Sequence, residues 1–168
     1  YINGCSFAHS SLLADIELPN TLEYIGCNSF SFTNLDSLFI PANVRYLEPN
    51  FIGYNTCIKK IEVDPSNQWY ESKNGIVYTK GMDSIHVIPY ALELDTLFFP
   101  DNLVAVNDYA FSITPLTIGF PTSFESLYME YDSLDLIRHF VTNIRLKHLG
   151  ERAFFSSPLE SLANFEKT

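Results

Sequence analysis

The chain has 168 residues, of which 46% are hydrophobic, 15% aromatic and 18% charged, and its formal net charge is −10. This length and apolar content are enough to build a sizeable core and argue against intrinsic disorder. The acidic balance, with Lys59-Lys60 as the longest basic run, argues against a nucleic-acid partner. No apolar run reaches the roughly eighteen residues that a membrane-spanning helix needs.

Taken in order, the chain is a set of repeats. Residues 20–41 are the clearest copy, with Leu22, Ile25, Phe30, Leu35, Leu38, Ile40 and then Pro41. Residues 1–19 enter inside a unit: Tyr1 to Phe7 line up with Tyr24 to Phe30, and Leu12 or Leu13, Ile16, Leu18 and Pro19 complete the copy. Residues 42–64 repeat it with Val44, Leu47, Phe51, Ile58, Ile61 and Val63, two residues being added between Phe51 and Ile58.

Residues 65–89 break the pattern. Asn74-Gly75 is a strong hairpin-turn signal ahead of Ile76 to Thr79. Lys80 to Asp83 reads as a second turn before the strand-like run Ser84 to Pro89. This stretch is expected to be an inserted β-hairpin, followed by a short unit over 90–100. The pattern returns over 101–121 and 144–165 and more loosely over 122–143, where a longer helix is compatible only with residues 123–140. The last inward position reads Leu18, Ile40, Val63, Phe99, Phe120, Thr142, Asn164. Its polar drift suggests a capping coil near residue 168, and the apolar start suggests further coils before Tyr1.

The spacing has a physical meaning. In Leu35-x-x-Leu38-x-Ile40 the last residues alternate, so Leu38 and Ile40 face one way and Ser37 and Phe39 the other. One short strand cannot bury its apolar face alone. Copies stacked every 22 or so residues form a parallel sheet over a shared core. The recurring Phe position fills the space behind that sheet, which explains fourteen Phe against a single Trp.

The stretches 35–41, 22–30, 103–111 and 146–154 (LDSLFIP, LEYIGCNSF, LVAVNDYAF, LKHLGERAF) resemble the BspA-type leucine-rich repeats. The insert over 67–89 is similar to one that the family often carries, with Tyr70, Ser72 and Gly75 at characteristic places. The resemblance implies an α/β-type repeat: a right-handed, β-rich leucine-rich-repeat solenoid with short parallel strands on its concave face. It also implies a cell-surface or secreted protein with an adhesive or protein-binding role, and no shared catalytic residue.

Candidate ligand-binding positions are the outward ones on the expected concave strands: Ser37, Phe39, Lys60, Glu62, Thr96, Phe98 and Thr117. Phe39 and Phe98 are the expected anchors of a protein or glycan ligand, host-derived ligands included. The plainer reading is that they pack against each other or against the hairpin. Trp69 and Tyr70 read as pins of the insert, or else as a binding patch. An enzyme would need a pocket lined by groups such as His86, Trp69 and Tyr78. No GxSxG, phosphate loop or CxxC is present, so no catalytic residue and no cofactor are assigned. His9, His86, His139 and His148 lie in different units without metal spacing, so no metal is assigned. Cys5 and Cys27 are read as equivalent places just before the Phe position, either free thiols in small buried slots or a bridge between neighbouring coils. The alternative to a binding module is a structural spacer or intracellular scaffold that displays neighbouring domains.

Overall fold

In the computed structural model, residues 1–48, 50–93 and 103 are described in full. Seven further strands, at 96–98, 105–106, 117–120, 126–127, 139–142, 148–149 and 161–163, are described by their backbone pairing. Among the described residues every regular element is a β-strand. The helical half of the expected α/β-type repeat is therefore absent there. Residues 126–127, inside the stretch compatible with helix, form a strand, and the rest of 128–138 lies outside the described residues.

Each early coil has three sides. Strand β1 (Tyr24–Ile25) is followed by β2 (Ser37–Ile40), β3 (Tyr46–Leu47) and β4 (Lys60–Val63). Strands β2 and β4 pair in parallel, with Ser37 opposite Lys60, Leu38 opposite Ile61, Phe39 opposite Glu62 and Ile40 opposite Val63. Strands β1 and β3 pair in parallel on a second side, and Ile2 extends that row by a bridge to Ile25. The third side is a ladder of turns. Cys5 N–H donates to Cys27 O (3.0 Å), Phe7 N–H to Ser29 O (2.8 Å), His9 N–H to Ser31 O (2.9 Å) and Phe30 N–H to Phe51 O (2.8 Å). A side occupied by turns bonded coil to coil leaves no length for a helix.

The core runs along the coils between these sides. Leu22, Ile25, Phe30, Leu35, Leu38 and Ile40 are all buried, as are Val44, Leu47, Ile58, Ile61 and Val63. Phe7 and Phe30 stack from coil to coil at 5.3 Å with 2° between ring planes. In the first coil Leu13 packs against this core, and Leu12 is 95% exposed. Gly26 is required by close approach: a Cβ there would lie 2.4 Å from Gly4 N and 2.7 Å from the Asn3 carbonyl carbon.

The third coil corrects one alignment. Left-handed backbone recurs at Cys5, Asn28 and Asn50, and again four residues later at His9, Phe32 and Tyr54. Counting from these marks, the partner of Phe30 is Ile52, and the coil gains one residue before Ile58, not two. Phe51 is buried as well, which is why size alone favoured it. The same marks place Cys27 level with Gly4, so Cys5 and Cys27 are not equivalent. Both are free and exposed, and the Cys57 thiol, also free, donates to Asn34 Oδ1 (2.9 Å).

The insert is a three-stranded meander. Strands β5 (Tyr70–Lys73) and β6 (Ile76–Thr79) pair antiparallel across Asn74-Gly75, whose φ values of 54° and 80° make the primed two-residue turn that twisted hairpins favour. Strand β7 (Ser84–Val87) pairs antiparallel with β6, with a bulge at Val77/Tyr78, and in parallel with β9 (Ala105–Val106). The remaining strands continue two rows. Strand β8 (Thr96–Phe98) pairs in parallel with β10 (Thr117–Phe120), which pairs with β12 (His139–Thr142), which pairs with β14 (Ser161–Ala163). Strand β11 (Ser126–Leu127) pairs in parallel with β13 (His148–Leu149).

Candidate functional site

Alternation sets which side chains β2 and β4 present. Leu38, Ile40, Ile61 and Val63 are buried, leaving Phe39, Lys60 and Glu62 exposed and Ser37 half-buried. Phe39 is 48% exposed and stands opposite Glu62 in the register. Lys60 Nζ lies 3.4 Å from Glu62 Oε2, and Ser37 Oγ donates to Asp36 Oδ1 (3.3 Å). Four of the seven expected ligand-binding residues thus share one two-stranded surface. Thr96, Phe98 and Thr117 lie on β8 and β10, where Thr96 is opposite Thr117 and Phe98 opposite Gly119. Their side chains lie outside the described residues.

The two groups do not share one hydrogen-bonded sheet. The free edge of β4 is occupied by the insert: Ile61 N–H donates to Gly75 O (2.9 Å) and Val63 N–H to Ser72 Oγ (2.9 Å). A Cβ on Gly75 would lie 2.9 Å from Lys60 Cβ, so this approach also needs glycine. One side over, Leu47 N–H donates to Tyr70 Oη (3.1 Å). Tyr70, Ser72 and Gly75, singled out in the sequence, are therefore the three acceptors that dock the insert on the preceding coil.

Asn67, absent from the candidate positions above, completes that joint. It is fully buried, and its amide donates to Pro41 O (3.0 Å) and Val44 O (2.9 Å). Its Oδ1 accepts from Trp69 N–H (2.8 Å) and Tyr70 N–H (2.9 Å). An asparagine side chain with both donors and its acceptor used is the cheapest way to bury such a corner. Trp69 and Tyr70 part company here. Tyr70 packs on the core and Trp69 is 44% exposed, so only Tyr70 is a pin.

His86 sits behind Tyr70, the rings 5.0 Å apart and tilted by 57°. Burial pushes its imidazole down to about 4, partly offset by a hydrogen bond with the Leu47 backbone, and it is neutral at pH 7. Burial also raises the Tyr78 and Tyr70 phenols; for Tyr70 the Leu47 N–H acts in the opposite sense and Glu48 in the same sense. A general base works best with its pKa near the working pH, which His86 does not have. His86 and Tyr78 are buried, whereas Trp69 is exposed, so the three do not share one accessible surface. Among the described residues no three His, Cys, Asp or Glu are grouped to hold a metal ion, and no helix is long and apolar enough to cross a membrane.

Two aromatic columns at the surface, one of them with Tyr24 half-buried, escape a core-based sequence reading. Tyr24 and Tyr46 are in register on β1 and β3, and Tyr1 lies 6.1 Å from Tyr24. Beside them Arg45 pairs with Glu23 (2.7 Å) and lies over the Tyr46 ring at 5.5 Å. On the turn side His9, Phe32 and Tyr54 stack face to face, at 4.5 Å and 4.9 Å. The available signal was an aromatic residue recurring two places after the Phe position.

Comparison with known proteins agrees with this geometry. No curated protein matches the chain. Among solved structures, a leucine-rich repeat protein from Eubacterium ventriosum is 18% identical, with a TM-score of 0.67 over 86% of this chain and 46% of its own. The pneumococcal vaccine antigen PcpA is 19% identical, with a TM-score of 0.69 over 86% of this chain and 49% of its own. A leucine-rich cell surface protein from Faecalibacterium prausnitzii is 16% identical, with a TM-score of 0.60 over 74% of this chain and 40% of its own. The chain thus spans less than half the length of each, and at these identities the likeness is one of fold. The model of the BspA-type leucine-rich repeat region matches six copies over residues 1–86 and 89–168. With nearly every residue inside that match and the three-sided coils in place, the chain belongs to the BspA-type leucine-rich repeat family.

Proposed function

We propose that this chain is a non-enzymatic recognition module of a surface-displayed protein, and that it binds a protein or glycan ligand through the outward row of β2 and β4 on a concave face. The observation that carries the reading is Phe39, an aromatic side chain held out to solvent on a strand whose neighbours Leu38 and Ile40 are buried. A rigid aromatic anchor loses little freedom on binding, and a few such anchors dominate recognition surfaces. Lys60 and Glu62 beside it supply a polar rim, and Thr96, Phe98 and Thr117 would supply a second row beyond the insert. Two of the similar structures are described as a vaccine antigen and a cell surface protein, which supports display at a surface.

The test is binding of the 168-residue chain to a panel of immobilised extracellular-matrix proteins and neutral glycans. Phe39→Asp is expected to weaken the captured interaction by about tenfold or more while leaving the thermal midpoint unchanged. Unchanged binding by a folded Phe39→Asp chain removes the β2–β4 row from the reading. A chain that binds nothing on the panel supports the spacer alternative.

A further inference from the structure

Cys5 and Cys27 stand one step apart on the ladder of turns that joins the first two coils. Cys5 N–H donates to Cys27 O (3.0 Å), which sets their Cα atoms roughly 5–6 Å apart, inside the separation that a disulfide spans. The Cys27 sulfur leans toward the neighbouring coil: a Cβ on Gly4 would lie 3.4 Å from Cys27 Sγ. Gly4 carries no side chain, so nothing of that residue stands between Cys27 Sγ and Cys5, the next residue along. Both thiols are free and exposed.

The backbone at Cys5 adds to this. Cys5 lies in the turn in which Ser6 N–H donates to Asn3 O (3.3 Å), and its φ is 59°. The same left-handed place in the next two coils holds Asn28 and Asn50, the residue type this conformation favours. There the side chains link coil to coil, Asn50 Nδ2 donating to Asn28 Oδ1 (2.8 Å). In the first coil a cysteine takes that place, with a second cysteine within reach on the second coil. Cys57 stands outside the pair: it is half-buried, and its thiol donates to Asn34 Oδ1 (2.9 Å), further along the coil.

We propose that Cys5 and Cys27 are a redox-sensitive pair that closes into a disulfide between adjacent coils and locks the first coil onto the second. With a small-molecule disulfide as oxidant, one protein thiolate attacks it, expels one thiol and forms a mixed disulfide. The other thiolate attacks the protein sulfur of that mixed disulfide, and the second thiol leaves. The protein gives up two electrons and two protons, and the oxidant takes them up as two thiols. The bond restricts the unfolded chain between residues 5 and 27, so the closed form is the more stable one. The pair lies on the turn side, apart from the β2–β4 row, and its failure leaves the recognition reading untouched.

Exposing the reduced, native 168-residue chain to oxidised glutathione tests this. Remaining thiols are alkylated, and a glutamate-specific protease, which cuts at Glu17 and Glu23, separates the two cysteines for mass spectrometry. A Cys5–Cys27 cross-linked peptide pair from within one chain is expected, with Cys57 alkylated. The oxidised chain is expected to unfold about 5 °C or more above the reduced one. Amide exchange over residues 1–26 should slow, and dithiothreitol should reverse both changes. Cys5→Ser and Cys27→Ser, each at an exposed site and expected to keep the fold, should abolish the shift. Thiols that stay unreacted, or stable glutathione adducts at Cys5 and Cys27 without the cross-link, overturn the proposal. So does a bridge to Cys57, or a cross-linked chain whose thermal midpoint and exchange match the reduced form.

Discussion

The regular coils of residues 1–64 and the insert of residues 65–89 are held by different means. In the coils the same contacts recur: an apolar column, two rows of parallel pairs and a turn ladder, each coil resting on the next. In the insert Val77 and Val87 join the same apolar core, and the polar attachment is made by Asn67, Tyr70, Ser72 and Gly75, contacts that do not recur from coil to coil. A repeat array spreads its stability over equivalent neighbours, so losing one contact weakens a coil without severing it. A joint of single polar contacts has no such redundancy, and each buried partner left behind carries its own desolvation cost.

Substitutions can break this contrast. The largest effect is expected at Phe30, fully buried and stacked on Phe7. Phe30→Ala should lower global stability by about 4 kcal/mol through lost burial and a cavity. Chemical denaturation should show the loss, and hydrogen exchange should show it across several coils at once. Next comes Asn67→Ala, which leaves two carbonyls and two N–H groups without their partner, at a cost of about 3 kcal/mol. Here exchange should rise within residues 66–88 and little in residues 1–40. Uniform exchange across both regions would erase the distinction.

The smallest of the three effects follows from pH. The folded pKa of His86, about 4, lies below the 6.5 of an unfolded imidazole, so the unfolded chain binds more protons between these values. Stability is therefore full above pH 6.5, falls as pH drops through the window, and levels off below about 4. Between neutral pH and about pH 5 the loss from this group amounts to about 2 kcal/mol. His86→Gln should flatten that part of the stability profile, and a profile identical to the parent's would show that His86 does not titrate in the joint.

Much of the fold was legible because packing repeats. Every core position named between Leu22 and Ile40 is buried, and Asn74-Gly75 made the turn its sequence announced. Strands of two residues, such as Tyr24–Ile25, are too short for alternation to reveal. Ile52 was hidden behind Phe51 because register there is fixed by left-handed backbone, not by side-chain size. Of the candidate site, the outward positions of β2 and β4 followed from period-two alternation. The insert's occupation of β4's edge did not, since it rests on which N–H meets which acceptor. The His9–Phe32–Tyr54 column fell outside a reading built on buried positions, and its Phe and Tyr sit in backbone that propensity assigns to other residues.

The covered edge of β4 has a consequence for assembly of the array. Growth of a parallel sheet proceeds by offering unpaired N–H groups to the next strand, and an open edge accepts any strand that arrives. Here Gly75 and Ser72 take those groups before β8 exists as a partner. Propagation along this row therefore halts at the third coil and restarts beyond the insert. The edge left by the first sixty-odd residues is closed by the residues of the insert that come directly after them, without waiting for β8. The insert acts as a full stop inside a sentence of repeats, keeping a misplaced coil or a foreign strand from continuing it.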